Sequence, residues 1–254
     1  MIIDFHAHPG YAHDLAGLRE ELRPLLREAA YHGVQWVCLN AIADWSPSPS
    51  PRAVRKGNDA VLALMSDYPD RVIGLCYVNP LHGEAARKEL DRCVVNGGMA
   101  GIKLWIACKA NHPSVDPIAA RAAELNVPIL QHCFYVPGLA WQTTPADVAD
   151  LAARHPKMKM VIAHLTACME RGLADIQPYP NVCVDFAGGE PEATWVERAV
   201  KWLGAERVVF GTDTPIRTYG SSLGRVYQAK LTARQRALIL SGNARRLLGR
   251  RFPG

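Results

Sequence analysis

One pattern constrains this chain of 254 residues more than any other: a short, continuous apolar run followed by an amphipathic stretch, eight times over. The runs begin with Met1-Ile2-Ile3. They return as Val34 to Asn40, Arg71 to Val78, Gly101 to Ile106, Val127 to His132, Met158 to His164, Asn181 to Phe186 and Arg207 to Phe210. Continuous apolar runs of this length read as strands buried on both faces. The stretches between them read as helices, roughly Asp14 to His32, Arg52 to Tyr68, Glu84 to Val95, Pro117 to Leu125, Pro145 to His155, Ala167 to Ile176 and Pro191 to Leu203. Pro24 predicts a kink in the first helix or its division in two. Gly33 is that helix's stop signal, and Asn96-Gly97-Gly98 stops the third. After an irregular stretch, Thr214 to Gly224, Thr232 and Gln235 form a capping box that opens a last helix.

Eight buried strands alternating with helices predict a (β/α)₈ TIM barrel. A doubly wound open sheet would place a glycine-rich phosphate turn after the first strand, and the chain has none there. No linker or shorter repeat divides the chain, and 49% hydrophobic residues suffice for one large core. Residues 1–254 are therefore expected to form a single domain.

In such a barrel the C-terminal ends of all strands face one mouth, where the chemistry lies. Asp4-Phe5-His6-Ala7-His8 ends the first strand, and alternation predicts that Asp4, His6 and His8 point the same way. Strand four carries Lys103, strands five and six end at His132 and His164, and strand eight runs into Asp213. Four of the nine histidines thus sit at strand ends, while His13, His32, His82, His112 and His155 fall in helices or loops. One strand-end histidine is ordinary. Four of them converging with an aspartate mark a site.

Imidazoles and a carboxylate suit a borderline divalent cation, zinc first, with an open position for a water whose pKa the ion lowers. Asp213 can touch the metal and accept the water's proton, while His164 is suited to hold a substrate oxygen or to donate a proton. Asp4 is expected either to orient a ligand or to stabilise the layer below. Three uses are open to Lys103: carboxylation to bridge two metals, a free ammonium that binds a carboxylate, or an outward path to solvent.

The set of His-x-His on strand one, lysine in Gly-Ile-Lys-Leu, His132, His164 and Gly211-Thr212-Asp213-Thr214-Pro215 resembles the amidohydrolase superfamily. The nearest likeness is to its amidohydrolase-related branch, which holds small metal-dependent hydrolases and the aminocarboxymuconate-semialdehyde and resorcylate decarboxylases. The ending Ser241-Gly242-Asn243-Ala244-Arg245-Arg246-Leu247-Leu248 is similar to that branch's terminal helix. The resemblance implies His6, His8, His132 and Asp213 as metal ligands and His164 as a catalytic group. It implies one metal per chain, or two if Lys103 is carboxylated. Two departures stand out: no glycine follows His164-Leu165, and the chain is shorter than typical decarboxylases of the branch.

That shortness favours hydrolysis of a small ester, lactone or amide by metal-activated water. The alternative is a metal-dependent lyase, a decarboxylase or hydratase of a small aromatic or unsaturated carboxylic acid. Lys103 with Arg217 and Arg225 could hold its carboxylate, though either arginine reads more simply as a solvated loop residue. A TatD-like nuclease shares the His-x-His but expects a glutamate where this chain has Lys103, and a catalytically silent barrel would not keep every strand-end group. Trp45, Tyr135, Trp141 and Tyr219 lie in the loops Asp44 to Pro51, Phe134 to Thr144 and Thr214 to Gly224, expected at the same mouth as an aromatic wall or as lid packing.

A net charge of +5 without long basic runs argues against a nucleic-acid surface, and Arg245, Arg246, Arg250 and Arg251 read as the cationic end of the last helix. Seven scattered cysteines without a Cys-x-x-Cys indicate buried thiols in a reducing compartment. No signal peptide or membrane-length apolar run is visible. The expectation is a cytoplasmic enzyme whose partners are a small molecule and, at most, further copies of itself.

Overall fold

The structure, a computed structural model, describes residues 1–134, 142–164, 169–188 and 194–254. Eight strands form one sheet in chain order: β1 Ile2–Ala7, β2 Val34–Leu39, β3 Val72–Tyr77, β4 Gly101–Leu104, β5 Pro128–His132, β6 Lys159–Ala163, β7 Val182–Asp185 and β8 Val208–Val209. Neighbours pair parallel throughout. The sheet closes where β8 and the segment after it return to β1. Phe5 N donates to Phe210 O (3.0 Å), Asp213 N donates to His6 O (2.7 Å), and Ala7 bridges Thr214. This is the expected TIM barrel.

The strands are doubly buried because each feeds two apolar layers. Ile3, Phe5, Cys38, Leu75, Leu130, Val161, Cys183 and Val209 join one cluster, the barrel interior, which Leu247 and Leu248 of the C-terminal helix also enter. Their sequence neighbours, among them Val37, Leu39, Ile102, Leu104, Ile129 and Val184, pack against the surrounding helices.

Those helices are α1 Leu15–Tyr31, α2 Pro51–Asp67, α3 Glu84–Leu90, α4 Asp116–Leu125, α5 Pro145–Arg154, α6 Met169–Ile176, α7 Trp195–Leu203, α8 Tyr219–Tyr227, α9 Ala233–Ala237 and α10 Asn243–Leu248. Pro24 does not divide α1. It lies on the exposed side, where water can satisfy the carbonyl it frees, while Leu18, Leu22, Leu26 and Ala29 hold the buried face. The third helix is shorter than expected, giving way after Leu90 to a π-helical turn over Asp91–Asn96. The stretch Thr214 to Gly224 is not irregular throughout. Thr218 caps α8 by accepting from Ser221 N, and the helix buries Tyr219, Leu223 and Val226. The capping box at Thr232 forms as expected. Among the described residues no helix is long and apolar enough to cross a membrane.

One buried polar residue fixes the end of a strand near the mouth. Asn58 of α2 donates from Nδ2 to Tyr77 O (2.9 Å) and Glu89 Oε1 (2.9 Å), and its Oδ1 accepts from Tyr77 N (2.9 Å). Asn58→Ala strands the Tyr77 backbone away from water and is expected to cost about 2–3 kcal/mol, read as a lowered urea midpoint at unchanged slope.

Candidate metal centre

The first strand does not keep strict alternation. Its pairing with β2 shifts register between Asp4 and Ala7, so three steps on β1 oppose two on β2. Such an irregularity re-aims side chains at a barrel rim. Ile3 and Phe5 lie in the interior, while Asp4 accepts from Thr212 Oγ1 (2.6 Å), Thr212 N (3.0 Å) and the backbone N–H of His6 (3.1 Å). Asp4 therefore ties β1 to the segment after β8 and orients neither imidazole. Burial pushes its carboxyl up to about 7 against the lowering effect of those hydrogen bonds.

Beyond the irregularity His6 and His8 reach the mouth, and Asp213 meets both. Its Oδ1 stands 3.3 Å from His6 Nε2 and 3.2 Å from His8 Nε2. Each imidazole is anchored through its other nitrogen. His8 Nδ1 donates to Asn40 O (3.0 Å), and His6 Nδ1 donates to Asp185 Oδ2 (3.0 Å). A carbonyl can only accept, and so can an ionised carboxylate, which sets the tautomer of both neutral rings. Both Nε2 atoms then present lone pairs toward a carboxylate oxygen. His6 Nε2 also has the Lys103 amine within 3.0 Å as a donor, and the set of two imidazoles and a carboxylate fits a borderline divalent metal. The ligand atoms of His6, His8 and Asp213 all lie within 4.8 Å of one another. Burial opposes ionisation of Asp213, yet the surrounding imidazoles hold its carboxyl well below the ordinary range.

Asp185 escaped the sequence reading. It ends β7, and its two oxygens accept from His6 Nδ1, His164 N (2.9 Å) and Ala187 N (3.0 Å). A carboxylate closing an apolar strand was the available signal. His6, His164 and Asp185 also lie close enough to share an ion. Asp185's oxygens are already engaged by those donors, however, which leaves the Asp213 group as the better metal site.

Lys103 points into the barrel, since Ile102 and Leu104 on either side face the helices. Its Nζ lies 3.0 Å from His6 Nε2, so the outward path to solvent does not hold. Burial lowers its amine to about 8, partly offset by Asp213 and Asp185. His164 sits in the left-handed region (φ 64°), as does Asp213 (φ 63°). Backbone strain of this kind collects at functional sites. His164 Nδ1 donates to Ala187 O (2.9 Å), which leaves Nε2 for chemistry. A Cβ on Gly188 would stand 2.5 Å from that ring, so glycine is required there. The His132 ring lies 4.9 Å from His164 between centroids, and burial with nearby His164 and Lys103 keeps it neutral.

The expected rim residues divide. The Trp45 indole lies 5.1 Å from His8 and 6.2 Å from Trp105, and Phe134 lies 6.1 Å from His164. Tyr135 and Trp141 fall outside the described residues. Tyr219 is no wall: it is fully buried in the layer between barrel and helices. Arg225 is buried and donates to Phe186 O and Gly188 O, bracing the segment after β7, while the half-buried Arg217 donates to Ile216 O.

Comparison with known proteins places this geometry. A 2-amino-3-carboxymuconate-6-semialdehyde decarboxylase from Dictyostelium discoideum is 24% identical over 233 residues, covering 76% of this chain. The chain spans 65% of that protein's length. The solved 2,6-dihydroxybenzoate decarboxylase from Rhizobium superposes with a TM-score of 0.80 at 19% identity, over 97% of this chain and 99% of that one. A dihydroxybenzoic acid decarboxylase from Polaromonas sp. JS666, solved with manganese and 2-nitroresorcinol, does so with a TM-score of 0.74 at 19% identity, over 98% and 97%. These likenesses establish the shared barrel. The sequence model of the amidohydrolase family matches residues 3–250, nearly the whole chain, and the protein therefore belongs to the amidohydrolase family.

Proposed function

We propose that the protein is a metal-dependent lyase that decarboxylates a small aromatic or unsaturated carboxylic acid. The observation that carries this reading is the Lys103 amine, buried 3.0 Å from His6 Nε2 inside the barrel mouth. A fixed buried cation is costly, and an anionic substrate group repays that cost. The similar decarboxylases favour this alternative over the hydrolysis that chain length suggested.

His6, His8 and Asp213 would hold the cation; His132, expected as a further ligand, is in neither group of ligand atoms close enough to share an ion and packs against His164. Held there, a divalent ion would supply Lewis-acid stabilisation to the substrate's oxygens. Lys103 fixes and partly neutralises an acidic group. Loss of carbon dioxide leaves an electron pair on carbon that a proton must take up, and His164 is placed to move that proton at Nε2. Its Nδ1 bond to Ala187 O keeps the ring from turning away. Trp45, Trp105 and Phe134 limit water at the mouth.

The test is a parallel assay of the metal-loaded protein on aromatic and unsaturated carboxylic acids and on lactones, esters and amides. Carbon dioxide release from at least one acid is expected, with about one divalent cation per chain by elemental analysis, which also decides between zinc and manganese. Hydrolysis of a lactone or ester with no carbon dioxide from any acid would overturn the reading.

A further inference from the structure

A cavity of about 230 Å³ lies beside the metal cluster, between the segments that follow β1 and β2 and the facing sides of α1 and α2. Its apolar lining includes Leu15, Leu18, Ile42, Ala53 and Ala60. His6, Lys103, His164 and Asp213 take no part in it, so it is separate from the cluster. His8 and Trp45 line it, and His8 also presents Nε2 to Asp213, which makes that ring a wall common to both.

Two observations mark this cavity as more than a packing gap. Asn40 lines it, and its side chain is buried with Nδ2 donating to Ala7 O, while Oδ1 has no hydrogen-bond partner among the described residues. A buried acceptor left unmet is unfavourable and calls for a donor. The second is Trp45, whose backbone is left-handed (φ 47°), next to Asp44 at φ 52°. A bulky side chain adopts that conformation only where its surroundings impose it. Here it sets the indole against His8, Tyr11 and Trp105, at the boundary between cavity and mouth.

We propose that the cavity is a subsite for a planar apolar ring that carries a hydrogen-bond donor, a phenol-like group whose hydroxyl donates to Asn40 Oδ1. An apolar cavity of roughly 150 Å³ already admits benzene, so this one has room for a ring and its substituent. As the seat of the substrate's distal group the proposal rests on the lyase reading. As a binding site it stands on the cavity and Asn40 alone.

The test titrates phenol and toluene into the metal-loaded protein and follows the indole N–H resonance of Trp45, assigned with Trp45→Phe. Phenol is expected to bind more tightly than toluene, although toluene is the more apolar of the two. Ala60→Leu on α2 and Ala12→Leu on the segment after β1 each add volume at the cavity lining and are expected to weaken phenol by roughly tenfold or more, with metal content retained. Two variants on separate elements guard against one failing to fold. Toluene binding more tightly than phenol, or phenol binding indifferent to both fillings, overturns the subsite. Phenol binding lost in the filled variants, with no carbon dioxide released from any acid, keeps the subsite and removes the lyase reading. Turnover of phenolic acids that ignores both fillings does the reverse.

Discussion

His6→Ala is expected to release the cation and abolish turnover together, whereas His164→Asn is expected to keep the cation and lose turnover by about 10²–10⁴-fold. The difference follows from what each ring's nitrogens do. His6 has Nδ1 committed to Asp185 and Nε2 aimed at the Asp213 carboxylate, so its loss removes a ligand atom that no neighbour replaces. His164 stands 4.0 Å from Asp213 through a nitrogen already committed to Ala187 O, and its free Nε2 is available for a proton. Elemental analysis beside kcat separates the two roles. Loss of metal from His164→Asn would move the ion to the neighbouring group of His6, His164 and Asp185.

The second large effect is expected from Asp185→Ala. That carboxylate fixes the His6 tautomer and holds the His164 and Ala187 amides. Removing the orienting partner of a ligating histidine should weaken metal affinity by roughly 10–100-fold. The stranded amides should cost about 1–3 kcal/mol besides. Chelator competition measures the first and urea unfolding the second. Burial raises Asp185 from 3.8 to about 6, partly offset by His164 and the two amides. The folded state then binds more protons than the unfolded one between about pH 4 and 6, so this group's contribution to stability falls as pH rises through that window. A salt-bridged surface carboxylate does the opposite. Unchanged metal affinity in Asp185→Ala would show that the backbone alone orients His6.

The strand-end residues were legible because a barrel converts position along the chain into position at the mouth. His6, His8, Lys103, His132, His164 and Asp213 all lie in the last two residues of strands that the apolar runs announce, or after them. Asp4 was misread because alternation assumes a regular strand, and the register shift before Ala7 breaks it. Of the two uses open to Tyr219, wall or packing, the structure has packing, and the helix that buries it, α8, went unseen because it begins in a stretch rich in glycine and serine. Asp185 passed unnoticed because a single carboxylate after Val182-Cys183-Val184 does not show what it will meet.

The sequence by itself determined the barrel and which polar groups its strands carry to the mouth. Burial on both faces leaves a local signature that short stretches carry unaided. The tertiary structure decided the rest: which way Lys103 points, which nitrogen of each imidazole faces the site, and that Asp185 holds His6. Those outcomes depend on hydrogen bonds between residues far apart in the chain, 179 positions for His6 with Asp185 and 208 for Asp4 with Thr212, and such contacts exist only once the barrel has closed.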